Sequence, residues 1–311
     1  VFLEDTADNA VIGVADSLLP AGENTNVIAG NARNGITIDG TSGVIIRNSF
    51  IGLRSDGVTR SANGRHGIYA FQADSLSVGD ASRGATNLIS GNVEAGVYLD
   101  KSSGTLTANR IGLTSGGVVI VANGAAGVHI VEPSGGITIG GTTSADRNVI
   151  SGNVGAGIYG EGIGTGTVEI LGNYIGLATS GSGAAGNGGA GIELNNTGMY
   201  YLGDAVAGGM NIISGNIGHG VYVHDENNGT IFTNNRIGTN AAGTAAVPNQ
   251  KHGVYLENIF SASFGGGSGY ETLISGNAWH GIYTPPEGVI SGGLVINDCR
   301  VGVNAAGTAA I

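Results

Sequence analysis

The stretch Asn148-Val-Ile-Ser-Gly-Asn-Val-Gly-Ala-Gly-Ile158 decides the fold. Its pattern, Asn-x-Ile-(Ser/Ala)-Gly-Asn-x-x-x-Gly-(Ile/Val), also occurs at 26–36, 87–97 and 211–221, and a fifth copy at 272–282 begins with Thr. The copies recur about every 62 residues, a period typical of stacked structural units. Such a repeat indicates a solenoid, because each unit buries its apolar side chains only against its neighbours.

A second form of the motif lies between these copies. It consists of an Ile-Gly pair, a loop and then Asn-x-x-x-Gly, as where Ile111-Gly112 leads to Asn123 and Gly127. The loop adds about ten residues, so the true period is about 31 residues and plain rungs alternate with rungs that carry a loop. We predict about ten rungs, which at about 4.8 Å each form a rod about 48 Å long.

Each rung contains three short strands. We call them the asparagine strand (as in 148–151), the tyrosine strand after the motif's last Gly (as in 97–99) and the branched strand, rich in β-branched residues (as in 137–139). Side chains alternate between the faces of a strand, so Val97 and Leu99 point inward and Tyr98 outward. No segment has a helical period with caps. The sequence predicts an all-β, right-handed, single-stranded parallel β-helix with three sheets, forming one domain over 1–311.

Two columns of small polar residues predict side-chain ladders at the corners. An amide that bonds the same group one rung away satisfies corner backbone groups that no sheet can pair. Asn tolerates the left-handed conformation that a tight corner needs, and we interpret the asparagines of the second ladder in this way. The first ladder is Asn26, Ser49, Asn87, Asn109, Asn148, Asn173, Asn211, Asn235, Thr272 and Cys299. The second ladder is Asn31, Asn63, Asn92, Asn123, Asn153, Asn187, Asn216, Asn249 and Asn277.

Composition and charge exclude several classes of partner. The chain has 12 Lys and Arg against 23 Asp and Glu, a net charge of −11, which argues against nucleic acid. No apolar run approaches the roughly 18 residues of a membrane span, so we expect no membrane insertion. Cys299 is the single cysteine and cannot form an internal disulfide. Nothing in the sequence calls for a cofactor.

The repeats resemble the parallel β-helix repeats of large bacterial secreted and cell-surface proteins. Examples are the segment Ile139-Gly-Gly-Thr-Thr-Ser-Ala-Asp-Arg-Asn-Val-Ile-Ser-Gly-Asn153 and the stretch 235–249. The resemblance covers essentially the whole chain. It implies the fold and a secreted or cell-surface location, but no chemistry. The chain begins inside a rung and stops inside a loop, so we expect a fragment of a longer rod or ends covered by partner subunits.

The outward positions of the tyrosine strands form one column, with a column rich in carboxylates beside it. This surface predicts binding of a polysaccharide, with rings against the sugar faces and carboxylates at the hydroxyls. The alternative is that rings on neighbouring rungs stack on each other and stabilise the rod by themselves. Asp100 and Glu161 should lie about 9.6 Å apart, which suits an inverting glycosidase, although a periodic array repeats that spacing elsewhere. The candidate tyrosines are Tyr69, Tyr98, Tyr159, Tyr222, Tyr255 and Tyr283.

The least repetitive patch holds His219, His252 and His280 on consecutive rungs, with Trp279 beside them. Three imidazoles could bind Zn or Cu. A His–Tyr pair near carboxylates could instead abstract a sugar C5 proton. The third interpretation is a solvated edge where histidine has no specific role. We assign no metal site and no catalytic residue, and place these four residues with the tyrosines as candidate carbohydrate-binding residues.

The regularity of the repeat favours a structural or adhesive rod outside the cytoplasm. An enzyme usually interrupts its scaffold's repeat at the active site, and four of the five units here stay close to the pattern. The expected partners are a polysaccharide or cell-surface glycan, further repeats of a parent chain, or other rods bound end to end. The alternative function is a polysaccharide lyase, epimerase or hydrolase with a cleft over the tyrosine and histidine surface in the C-terminal half.

Overall fold

The chain coils through three parallel sheets in turn, so that neighbouring strands in each sheet come from successive coils. The computed structural model describes residues 1–14, 25–81, 86–225, 227–265, 267 and 269–311. Each sheet has ten strands, which corresponds to about nine turns. The prediction of an all-β parallel solenoid with three sheets is confirmed. Within the described ranges, no helix is long and apolar enough to span a membrane.

The strands of the three sheets have the following bounds. The tyrosine sheet contains β1 (Phe2–Glu4), β4 (Ile36–Asp39), β7 (Ile68–Phe71), β10 (Val97–Asp100), β13 (Val128–Val131), β16 (Ile158–Glu161), β19 (Ile192–Asn195), β22 (Val221–His224), β25 (Val254–Glu257) and β28 (Ile282–Tyr283). The branched sheet contains β2 (Val11–Ile12), β5 (Ile45–Ile46), β8 (Leu76–Val78), β11 (Gly104–Leu106), β14 (Ile137–Gly140), β17 (Val168–Leu171), β20 (Tyr200–Leu202), β23 (Thr230–Phe232), β26 (Ile259–Phe264) and β29 (Ile290–Ile296). The asparagine sheet contains β3 (Asn26–Ile28), β6 (Ser49–Ile51), β9 (Leu88–Ile89), β12 (Arg110–Ile111), β15 (Val149–Ile150), β18 (Tyr174–Ile175), β21 (Ile212–Ile213), β24 (Arg236–Ile237), β27 (Thr272–Ile274) and β30 (Cys299–Val301).

The core fills the inside of the coil with stacked aliphatic side chains. Val97 and Leu99 are buried and Tyr98 between them is half-buried on the outside, as strand alternation predicts. Larger side chains enter the core in the later turns, where the Phe232 and Phe264 rings stack with centroids 4.2 Å apart. Because every strand contributes apolar side chains to one continuous column, each turn is stabilised mainly by the turns on either side of it.

Both predicted ladders are present, but Cys299 at the end of the first bonds within its own turn, to the Asn297 carbonyl. In the second, Nδ2 of each asparagine donates to Oδ1 of the next, for example Asn92 to Asn123 and Asn123 to Asn153, both at 2.9 Å. In the first, Asn87 donates to Asn109 in the same way at 2.9 Å. Oδ1 also accepts from a backbone N–H one rung away, as Asn123 Oδ1 does from the Asn92 N–H at 3.1 Å, so corner groups that the sheets leave unpaired are satisfied.

The prediction that the ladder asparagines adopt the left-handed conformation is wrong. In plain rungs the preceding glycine has positive φ, as in Gly91 (79°) and Gly152 (73°). Glycine pays no steric cost for the sharp turn, so the following asparagine keeps an ordinary backbone and extends its amide to both neighbouring rungs. A different column of left-handed residues follows the tyrosine strands, and it includes Gln72, Lys101, Glu132, Asn196, Asp225 and Asn258.

The loops of alternate rungs stack directly on each other and form a ridge along the rod. The backbone N–H of Ser115 donates to the Gly57 carbonyl at 3.0 Å, and that of Thr179 to the Gly117 carbonyl at 3.1 Å. In three plain rungs a serine hydroxyl donates to a carbonyl at the start of the next loop, from Ser90 to Leu113, from Ser151 to Leu177 and from Ser214 to Thr239, at 2.7–2.8 Å. In these three rungs the plain rung therefore anchors the loop that follows it.

Candidate functional site

The outward column of the tyrosine sheet has the predicted register. Tyr69 pairs with Tyr98, and Tyr222 pairs with Tyr255, which pairs with Tyr283. Their rings stack on each other, with centroids 5.5 Å apart for Tyr69–Tyr98 and 5.6 Å for Tyr255–Tyr283 at interplanar angles of 17° and 9°. The column also includes Tyr159, but Glu193 lies between it and Tyr222. The tyrosines therefore form two separate stacks.

The histidines join these stacks. His219 and His252 are parallel within 8° at 5.3 Å, and His252 covers Tyr283 at 4.4 Å with an angle of 5°. His280 lies 5.0 Å from His252, while Trp279 meets His252 edge-on at 5.0 Å and remains 58% exposed. The predicted residues of the C-terminal patch thus come together, but largely face to face. Among the described residues, no group of three or more His, Cys, Asp or Glu is arranged to hold a metal ion.

Burial keeps two of the histidines in these stacks, His66 and His219, neutral. Burial, together with the nearby His252 and Lys251, lowers the pKa of His219 to about 4. Burial also lowers the pKa of His66 to about 4, although the Glu94 carboxylate opposes it. Near neutral pH both rings are uncharged, which suits close contact with tyrosine rings and leaves no cation on the stack at these two positions.

His224 is different, because carboxylates lie at both of its ring nitrogens. Its Nδ1 is 2.7 Å from Asp225 Oδ2 and its Nε2 is 3.5 Å from Glu193 Oε1, a distance at the limit for a hydrogen bond. Burial opposes the charged form, but the two carboxylates outweigh it and raise the pKa of His224. The ring stacks on Tyr222 at 4.2 Å, and the Tyr222 hydroxyl donates to Glu257 at 2.6 Å. This group was not singled out from the sequence, although the adjacent His224-Asp225 and the glutamate at 193 were visible signals.

Asp100 and Glu161, the carboxylates considered for hydrolysis, occupy the predicted column two rungs apart. Glu161 is engaged on both oxygens, because His129 Nε2 lies 3.0 Å from Oε1 and the Tyr159 hydroxyl donates to Oε2 at 3.1 Å. Burial raises the pKa of Asp100. A carboxylate held by two neighbours is better suited to fixing the aromatic stack than to activating a water molecule.

A large cleft lies beside the tyrosine column, at the corner where the tyrosine strands lead into the branched strands. Its volume is about 870 Å³, within the usual range for ligand sites. A smaller groove of about 440 Å³ shares Ile163 with it and continues along the corner to Gln72. The residues that line the cleft include Ile163, Asn196, Asp225, Asn228, Asn258 and Phe260.

These lining residues were not identified from the sequence, because they lie at or beside corners and do not interrupt the repeat. Asn196, Asp225 and Asn258 belong to the left-handed column, where glycine stands in two other rungs, at Gly40 and Gly162. Phe260 is 52% exposed in β26, a strand in which Phe264 is buried. Comparisons with family models, curated proteins and solved structures found no match to this chain.

Proposed function

We propose that the chain is a structural or adhesive rod outside the cytoplasm. Its role would be to hold other domains at a distance, to display them, or to attach to carbohydrate. The observation that carries this proposal is the continuity of the contacts between turns. The second asparagine ladder runs from Asn31 to Asn277, so neighbouring rungs along this length are joined by the same bond. Such a structure is stiff and can be extended by adding rungs, which is what a spacer requires.

A secreted or bacterial cell-surface location is part of this proposal. The resemblance of the repeats to those of large bacterial surface proteins supports it. The composition is compatible, since only 11% of residues are charged and the net charge is −11, while Asn, Ser, Thr and Gly supply much of the polar surface. Attachment of the chain to the cell exterior, detected by labelling intact cells of the source organism, would support this location; a purely cytoplasmic pool would contradict it.

Attachment and catalysis are distinguished by one pair of measurements on the purified chain. A glycan array reports binding, and assays for new reducing ends and for unsaturated products report turnover. We expect binding without turnover, because the aromatic column is occupied by its own contacts. Release of products from any bound glycan would overturn the proposal in favour of an enzyme.

The second candidate function is hydrolysis of a polysaccharide, and a specific observation favours it. Tyr222 donates to Glu257 at 2.6 Å, and His224 lies between Glu193 and Asp225, the last of which lines the large cleft. A lyase or epimerase acting on uronates fits less well, because these carboxylates would repel the uronate's charge. Hydrolysis requires turnover that is lost in Glu257→Gln while binding is retained.

A further inference from the structure

We propose that the corner groove from Ile163 to Ser291 binds a neutral glycan chain that lies along the rod axis. This inference rests on the proposed attachment to carbohydrate, and it locates the binding site in the groove beside the tyrosine column. The tyrosine rings are poor platforms for a sugar, because neighbouring rings cover their faces: Tyr255 lies 5.6 Å from Tyr283 on one side and 4.8 Å from His219 on the other. The groove at the adjacent corner instead presents exposed amide side chains and an exposed aromatic ring, which a ligand could contact.

The first group consists of amides with free hydrogen-bonding capacity. Within the described residues, the side chains of Asn196 and Asn228 are exposed and make no hydrogen bond. Asn196, Asp225 and Asn258 have φ of 48°, 55° and 49° at successive rungs, so the same backbone turn repeats along the groove. An amide both donates and accepts, which matches the hydroxyl groups of a sugar.

The second group is the aromatic ring of Phe260. The register between β26 and β29 shifts here, since Ile259 pairs with Ile290 but Ser261 pairs with Gly293, and such a bulge redirects the side chain beside it. The ring lies over Gly292, where a Cβ would approach it to 2.8 Å. Phe260 is therefore supported from one side and 52% exposed, as a platform for the apolar face of a sugar requires.

Charge selects the class of glycan. Asp225 is the charged residue among the described lining residues of the cleft, and Glu193 and Glu257 lie in the neighbouring sheet. In the adjoining smaller groove the one cation, Lys101, is paired with Glu132 at 3.5 Å. A chain of uronates would meet carboxylates with no free cation among these residues, whereas uncharged sugars meet amides and one ring.

The length of the groove suits an oligosaccharide. It extends from the corner after β16 to β29, which covers four steps between neighbouring strands of the tyrosine sheet. At the spacing of β-strands this is about 19 Å. The smaller groove continues in the same direction, so a longer chain would follow the rod axis toward Gln72.

The test uses the full chain and a panel of neutral oligosaccharides (glucan, mannan and N-acetylglucosamine oligomers) with oligogalacturonate as the charged comparison, measured by calorimetry. The groove variants are Phe260→Ala and the double variant Asn196→Ala/Asn228→Ala. Val118→Ala is the matched control, because Val118 is 64% exposed on the loop ridge, away from both the groove and the aromatic stack. Circular dichroism verifies that each variant keeps its fold, which exposed side chains should allow.

We expect a neutral oligosaccharide to bind, its affinity to fall at least about tenfold in both groove variants, and Val118→Ala to bind within about twofold of the parent. Binding that survives both groove variants would overturn the groove while leaving carbohydrate attachment intact. Preference for oligogalacturonate would overturn the neutral assignment. If the chain binds none of the panel, the groove proposal and the carbohydrate part of the rod proposal both fail, and the spacer role stands alone.

Discussion

Replacing Asn123 by alanine interrupts the second ladder in the middle of the rod. The side chain is fully buried and takes part in four hydrogen bonds. Nδ2 donates to Asn153 Oδ1 and to the Ile89 carbonyl, both at 2.9 Å. Oδ1 accepts from Asn92 Nδ2 at 2.9 Å and from the Asn92 backbone N–H at 3.1 Å.

The expected decrease in the free energy of unfolding depends on which hydrogen bonds are lost and which the former partners of Asn123 retain. A buried hydrogen bond contributes about 1 kcal/mol net, so losing four lowers the free energy of unfolding by about 4 kcal/mol. Asn92 Nδ2 still donates to the Ile51 carbonyl, and the Ile89 carbonyl still accepts from Gly112. Among the described residues the Asn92 N–H has no second acceptor, so the variant leaves a buried donor unpaired.

Asn31→Ala is the matched control, because Asn31 is an exposed member of the same ladder whose side chain makes one hydrogen bond, to Asn63 at 2.8 Å. We expect it to cost about 1 kcal/mol or less. Urea unfolding followed by circular dichroism measures both variants. If Asn123→Ala and Asn31→Ala prove equally stable, the ladder does not stabilise the rod in the way described.

Three further predictions concern stability. Tyr200→Phe should raise the free energy of unfolding by about 1 kcal/mol, because the buried Tyr200 hydroxyl has no partner among the described residues; a lower melting temperature would contradict this. Gly112→Ala should cost at least about 3 kcal/mol, since Gly112 has φ 94° and a Cβ there would overlap the Ser151 carbonyl oxygen, whereas Gly183→Ala, in open space, should change stability little in the same melts. Acidification from pH 6.5 toward 4 should destabilise the chain, because His66 and His219 have pKa values of about 4 when folded and 6.5 when unfolded, so the unfolded state binds more protons there. Each of these two histidines contributes on the order of 1 kcal/mol to stability after solvent screening, and this contribution is present above pH 6.5 and is lost as the pH falls toward 4. The variant His219→Phe should therefore flatten the dependence of melting temperature on pH. An unchanged slope would refute the role given to His219.

The register of the rod follows from the sequence because its repeat is nearly constant. Equal spacing between copies places Tyr98 beside His129, and Asn92 beside Asn123, without knowledge of any contact. Strand alternation then determines which side chains are buried, as for Val97 and Leu99. The three-sheet coil, both ladders and the composition of the outward column were all predictable from these two periodicities.

What the repeat does not contain is the orientation of each side chain and the shape of each corner. The angle of 9° between the Tyr255 and Tyr283 rings depends on the packing of three successive turns, and this angle decides whether a ring face is open or covered. The left-handed residue at a corner depends on which neighbour can turn without steric cost, so Gly91 turns and Asn92 does not. The exposed ring of Phe260 depends on a register shift between two strands that the sequence separates by a full turn. Sequence periodicity therefore determined the rod and its columns, and only the tertiary structure decided that its open surface lies at the corner beside the tyrosines.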